Sequence, residues 1–98
     1  MKLRLSEQAQ GDIKRIDAWW AEHRSKNPLR FRQELLEALE HIEATPTLAG
    51  TYTSKSGKKY WKVPLRKSRE VIYYEYFPDE QLVAVVTIAS PVYGGPDL

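Results

Sequence analysis

The apolar residues of this 98-residue chain change their period partway along, and that change limits the fold more than any other feature. Ala9, Ile13, Ile16 and Trp20 are spaced 4, 3 and 4 residues apart, and Phe31, Leu35, Ala38 and Ile42 repeat the same spacing. Such a stripe suits one face of an α-helix. From Tyr60 onward the pattern is that of strands. Trp61, Val63 and Leu65 alternate with Tyr60, Lys62 and Pro64, and the runs Val71–Phe77 and Leu82–Ile88 are rich in β-branched and aromatic residues. Helices therefore come first and hairpin-linked strands last, an α+β order.

Local signals set the expected boundaries. Lys2-Leu3-Arg4-Leu5 alternates and reads as a short half-buried strand. Ser6 can cap the first helix, with Glu7 in the first turn where the helix dipole favours an anion, and the helix fades near Arg24. Asp12, Lys14, Arg15, Asp17 and Glu22 lie off its apolar stripe. Asn27-Pro28 predicts the second helix start, asparagine as cap and proline at the first helical position. Leu36 and Leu39 widen its stripe, Glu34, Glu37, Glu40 and Glu43 make its other side acidic, and Pro46 ends it. Residues 47–59 read as a loop. Pro64 lacks a ladder donor, so Tyr60–Leu65 reads as an edge strand, whereas Leu82–Ile88, apolar on both faces, reads as a central one. The expected fold is α+β, β-α-α-β-β-β, an N-terminal αα-hairpin packed on a small antiparallel-rich sheet. Residues 1–98 are expected to form a single domain.

Composition removes several function classes. No cysteine is present, which excludes a disulfide framework, a thiolate metal site and a cysteine nucleophile. His23 and His41 sit on different helices without a partner ligand, Gly94-Gly95-Pro96 lacks the lysine of a phosphate loop, and Ser54 and Ser56 have no histidine placed to activate them. No metal and no cofactor are expected. The opening MKLRLSEQAQGD has no apolar run of signal-peptide length, and the expectation is a cytoplasmic protein that does not engage the membrane.

Charge is the informative quantity. The net +2 hides a neutral first half, then seven basic and no acidic residues over 50–69, then five acidic and no basic residues over 70–98. Lys55, Lys58, Lys59, Lys62, Arg66, Lys67 and Arg69 are interleaved with Tyr60 and Trp61. Cations meet phosphates or an acidic protein surface, and aromatic faces stack on unpaired bases. These seven are the candidate nucleic-acid or target-binding residues. Trp61 and one of Tyr73 and Tyr74 are expected in the core instead.

Several stretches, in this order and spacing, resemble the RelE/ParE toxin superfamily. They are Leu5-Ser6-Glu7-Gln8-Ala9 with Asp12-Ile13, Trp19-Trp20-Ala21-Glu22-His23-Arg24, and Phe31 to Leu39 followed by Pro46. Leu65-Arg66-Lys67-Ser68-Arg69 with Val71-Ile72-Tyr73-Tyr74, and the closing Gly94-Gly95-Pro96-Asp97-Leu98, continue the likeness. The resemblance implies a toxin of a type II toxin–antitoxin system, neutralised by a cognate antitoxin. One branch of the superfamily, RelE-like, cleaves mRNA in the ribosome with basic side chains and a C-terminal tyrosine or histidine. The other, ParE-like, poisons DNA gyrase without that set. Ala89-Ser90-Pro91-Val92-Tyr93 carries no arginine, lysine or histidine, so the ParE-like, non-enzymatic branch is favoured. The alternatives are a ribosome-dependent endoribonuclease, in which Arg69 and Tyr93 would be the catalytic pair, and an interaction module without toxicity. An antitoxin segment is expected along the helical hairpin and the supposed edge strand, at Phe31, Leu35, Tyr60 and Lys62.

Overall fold

The computed structural model describes residues 1–93 and 95–98, without the side chain of Tyr93. Its elements are β1 (Lys2–Leu5), α1 (Glu7–His23), α2 (Arg30–Ala44), β2 (Gly50–Thr53), β3 (Lys59–Leu65), β4 (Glu70–Phe77) and β5 (Leu82–Ala89). Short 3-10 turns follow at Pro78–Glu80 and Pro91–Tyr93. The five strands form one sheet in the order β1-β5-β4-β3-β2, with β1 parallel to β5 and every other neighbour antiparallel. Two helices lie on it, and the order is β-α-α-β-β-β-β. The expected α+β architecture holds, with one strand more than the sequence signals.

The core lies between the helices and one sheet face. Ala9, Ile16 and Trp20 of α1 and Phe31, Leu35, Leu39 and Ile42 of α2 are buried against Leu65, Ile72, Tyr74, Val83, Val85 and Ile88. Both predicted stripes are thus the buried faces, with two exceptions. Leu36 points outward at 56% exposure, and Asp12, expected on the polar side, is 4% exposed.

Asp12 is inside because the sheet edge needs it. β1 ends with the Leu5–Val85 pairing, so β5 continues without a neighbour on that side. Ser6 and Asp12 take the missing strand's place. The Ser6 hydroxyl donates to the Val86 carbonyl (2.5 Å) and accepts from Ala9 N–H (3.0 Å), the predicted cap. One Asp12 oxygen accepts from the Thr87 hydroxyl (2.6 Å) and from Ile88 N–H (3.0 Å). Burial pushes the Asp12 carboxyl up, but the bonds from Thr87, Ile88, Gln8 and Arg15 outweigh it and hold the group below its usual range.

Three sequence expectations need correction. Residues 50–53, read as loop, form β2, paired to β3 from Gly50–Lys62 to Thr53–Lys59. Glycine and threonine around one tyrosine look like turn chemistry, and such a strand exists because β3 supplies its ladder partners. The Tyr60–Leu65 strand is consequently interior rather than an edge. Pro64 is tolerated because the β2–β3 register stops at Lys62, leaving the Pro64 end of β3 with one neighbour. The second helix starts at Arg30 with Leu29 at the cap and no side-chain bond, not at Asn27-Pro28. Asn27 instead accepts Arg30 N–H through its carbonyl (3.2 Å) in a preceding turn.

Candidate functional site

Strand β3 carries Lys59 and Lys62 of the basic block, with Lys55 and Lys58 in the turn before it and Arg66, Lys67 and Arg69 in the turn after it, and its period of two sorts its side chains between two faces. Trp61, Val63 and Leu65 face the helices, while Tyr60, Lys62 and Pro64 face the open side. On that open face Lys62 is paired with Tyr73, and the Tyr73 ring meets Tyr52 edge-on at 5.2 Å. Gly50 is cross-strand from Lys62, and a Cβ there would be in ordinary van der Waals contact with the lysine stem, 3.4 Å from Lys62 Cε. Lys58 bridges to Glu75 (3.2 Å) and lies 5.4 Å from the Tyr60 ring centre. Its hydrogen bond to Glu75, then the Glu75 charge, raise its pKa. The Ser54 hydroxyl meets Ser56 Oγ (2.9 Å) and accepts Lys58 N–H (3.2 Å), shaping the β2–β3 turn that presents Lys55.

The other end of β3 leads into the turn Arg66–Arg69. Glu34 on α2 accepts Lys67 N–H (2.8 Å), Ser68 N–H (2.9 Å) and the Ser68 hydroxyl (2.8 Å). Burial raises the Glu34 carboxyl, and these bonds with the Lys67 charge more than reverse it. Arg69 closes the turn with φ 62°, in the left-handed region, and its N–H bonds to the Leu65 carbonyl (2.8 Å).

All seven candidate cations are exposed, yet the structure does not gather them. From Lys59 to Leu65 strand β3 advances about 20 Å at roughly 3.3 Å per residue. Lys55, Lys58 and Lys59 belong to one end, Arg66, Lys67 and Arg69 to the other, and Lys62 stands between. Tyr93 ends the 3-10 turn after β5, and its side chain, the second catalytic candidate of the nuclease reading, lies outside the described residues. Phe31 (0% exposed) and Leu35 (4%) belong to the core, so the expected antitoxin contact through these two side chains is corrected. The apolar stripe of α2 is spent on the sheet. Tyr60 is half-buried and Lys62 exposed, and both stay on the accessible sheet face.

Sequence reasoning missed a groove of about 770 Å³ where the second half of α1, the Arg66–Arg69 turn and the segment after β5 meet. Ile16, Trp19 and Trp20 give it an apolar wall, and Arg15, Arg69 and Glu70 line it as well. Trp19 stacks on His23 (centroids 4.8 Å apart, planes at 14°), meets Trp20 edge-on, and has the Arg24 guanidinium 5.3 Å from its centre. Burial raises the Glu70 carboxyl, and Asp12 adds to this while Arg15 opposes it. The one sequence signal was a tryptophan placed next to the buried stripe rather than in it. The other wall comes from residues nearly fifty positions away.

Among the described residues no group of three or more His, Asp or Glu side chains is placed to hold a metal, and no helix is long and apolar enough to cross a membrane.

No curated protein has significant sequence similarity to the chain. Among solved structures, the chain is similar to one in the intact E. coli RelBE toxin–antitoxin complex, at TM-score 0.62 and 18% identity, with 91% of this chain and 94% of that chain covered. It is also similar to the isolated E. coli RelE toxin, at TM-score 0.60 and 20% identity, covering 95% and 90%. At such identities the likeness speaks for the fold. A family model described as the ParE toxin of type II toxin–antitoxin systems, parDE, matches residues 3–90. That match spans both helices and, but for Lys2, all five described strands, and the chain therefore belongs to the ParE toxin family of type II toxin–antitoxin systems, within the RelE/ParE superfamily.

Proposed function

We propose that the whole chain, residues 1–98, acts as one cytoplasmic toxin domain that binds DNA gyrase, does not cleave RNA, and is neutralised by a cognate antitoxin. The observation that carries this reading is the spread of the basic block. Cleaving a phosphodiester needs a base, an acid and charge-stabilising cations within hydrogen-bond reach of the same few atoms. Cations divided between the two ends of a strand about 20 Å long suit an extended contact with a macromolecule better. The segment Ala89–Tyr93 adds no cation of its own.

For the antitoxin, Tyr60 and Lys62 are the contacts we propose, since both lie on the open sheet face. Among the described residues strand β2 pairs with β3 alone, so its outer edge offers backbone groups to which an added strand can bond.

The test is pulse labelling of DNA and protein synthesis in one bacterial culture after induction without antitoxin. DNA synthesis should stop first. Arrest of translation first would instead support the ribosome-dependent endoribonuclease, and then Arg69→Ala and Tyr93→Phe should each cut mRNA cleavage strongly. Growth unaffected by induction would leave a non-toxic interaction module.

A further inference from the structure

Three facts meet at the groove between α1 and the Arg66–Arg69 turn. Arg69 holds φ 62°, a backbone state that glycine adopts freely and residues with a Cβ disfavour. Gln81 is the other non-glycine residue with positive φ among those described, and of the two only Arg69 lines the groove, where a retained side chain can be used. Glu34 holds the turn through three hydrogen bonds, so the arginine is presented from a fixed backbone. Across the groove Trp19 is 43% exposed, yet its ring is held by the His23 stack. An ordered, exposed indole facing an arginine whose backbone is held in place has the make-up of an interface anchor.

We propose that this groove is where the toxin docks on its target, and that it takes an acidic, apolar segment of the surface of gyrase. The inference rests on the gyrase reading. In this arrangement a carboxylate of the segment is held by Arg69, with Arg15, which also bridges to Asp12 (3.3 Å), adding its charge, and an aliphatic or aromatic side chain packs on Trp19 and Ile16. Glu22 and Glu70 also line the groove. Glu22 and Glu70 repel a chain with a phosphate at every residue, whereas a protein segment can set one carboxylate at Arg69 and turn its N–H groups to the glutamates, so the mixed lining favours a protein segment over a nucleic acid. A volume of about 770 Å³ has room for a few residues of such a segment.

Supercoiling by purified gyrase is titrated with the wild-type protein and with Trp19→Ala, Arg69→Gly and Lys14→Ala, and each protein's melting temperature is recorded. Arg69→Gly is decisive, because glycine suits the left-handed turn and only the guanidinium is lost. The expected result is inhibition by the wild type and by Lys14→Ala at the same concentration, with at least tenfold more Arg69→Gly or Trp19→Ala required. Wild-type potency in both groove variants overturns the groove assignment and leaves the gyrase reading standing. Supercoiling untouched by the wild type overturns both. The same variants are offered a fluorescein-labelled single-stranded RNA and the antitoxin. Loss of either interaction with gyrase inhibition intact gives the groove to that ligand and overturns the proposal.

Discussion

Asp12 and Glu70 are close enough to feel each other's charge, yet they answer pH with opposite signs. Hydrogen bonds hold Asp12 below its ordinary value of about 4, so its contribution is complete above that value and is lost as pH falls through the lower folded value. Glu70 is raised by burial, so its contribution is present below about 4.3 and is lost as pH rises through its folded value. Asp12→Asn should therefore lower stability at pH 7 by about 1–3 kcal/mol, measured by urea denaturation, with the deficit shrinking in acid. Glu70→Gln should raise the melting temperature at pH 7 and leave it unchanged near pH 4. Equal gains at both pH values would mean that the charge on Glu70 is not the cause. Tyr74 gives a third test. Burial pushes its phenol up to about 12, and its hydroxyl donates to the Pro46 carbonyl (2.6 Å). Tyr74→Phe leaves that carbonyl without its donor and should cost about 1 kcal/mol.

At the scale of elements, side chains far apart in sequence decide how helices and strands meet. Glu34 reads as one more acid on the solvent side of α2, but it fastens the helix to the β3–β4 turn through two backbone N–H groups and a hydroxyl. Glu34→Ala should cost about 1–2 kcal/mol and speed hydrogen exchange at the Lys67 and Ser68 amides. Exchange unchanged there would mean that the turn holds itself. The signals that failed at this scale failed for a shared reason. Asn27-Pro28 and the polar stretch 50–53 were judged on their own chemistry, but the helix starts where Phe31 reaches the core, and β2 forms because β3 lies beside it. The stripes of α1 and α2 were legible because burying a helix face requires apolar residues at that period, whatever the partner.

For the molecule as a whole, the first strand closes the fold on the last. Among the described residues β1 pairs with β5 alone, and Ser6 reaches Val86, 80 positions away. Removing residues 1–5 would bare the β1-facing edge of β5, with Val83 and Val85 at its centre, and uncover part of the core. The truncated chain should lose its cooperative thermal transition in circular dichroism and aggregate on gel filtration. A monodisperse, cooperatively melting product would show that β1 is an accessory.

The sequence by itself determined the two amphipathic helices, the hairpin-linked strands, the N-cap at Ser6, the uneven charge and the likeness to RelE/ParE toxins. Each is local, or is a matter of order along the chain. Tertiary structure decided the burial of Asp12, the interior place of β3, the loss of Phe31 and Leu35 as surface residues, and the distance that separates the two ends of the basic block. It also made the groove, whose walls are brought together by the packing of α1 on the sheet. Periodicity tells which face of an element is apolar. It does not tell which distant backbone groups that face must satisfy, nor which cations the sheet will hold apart.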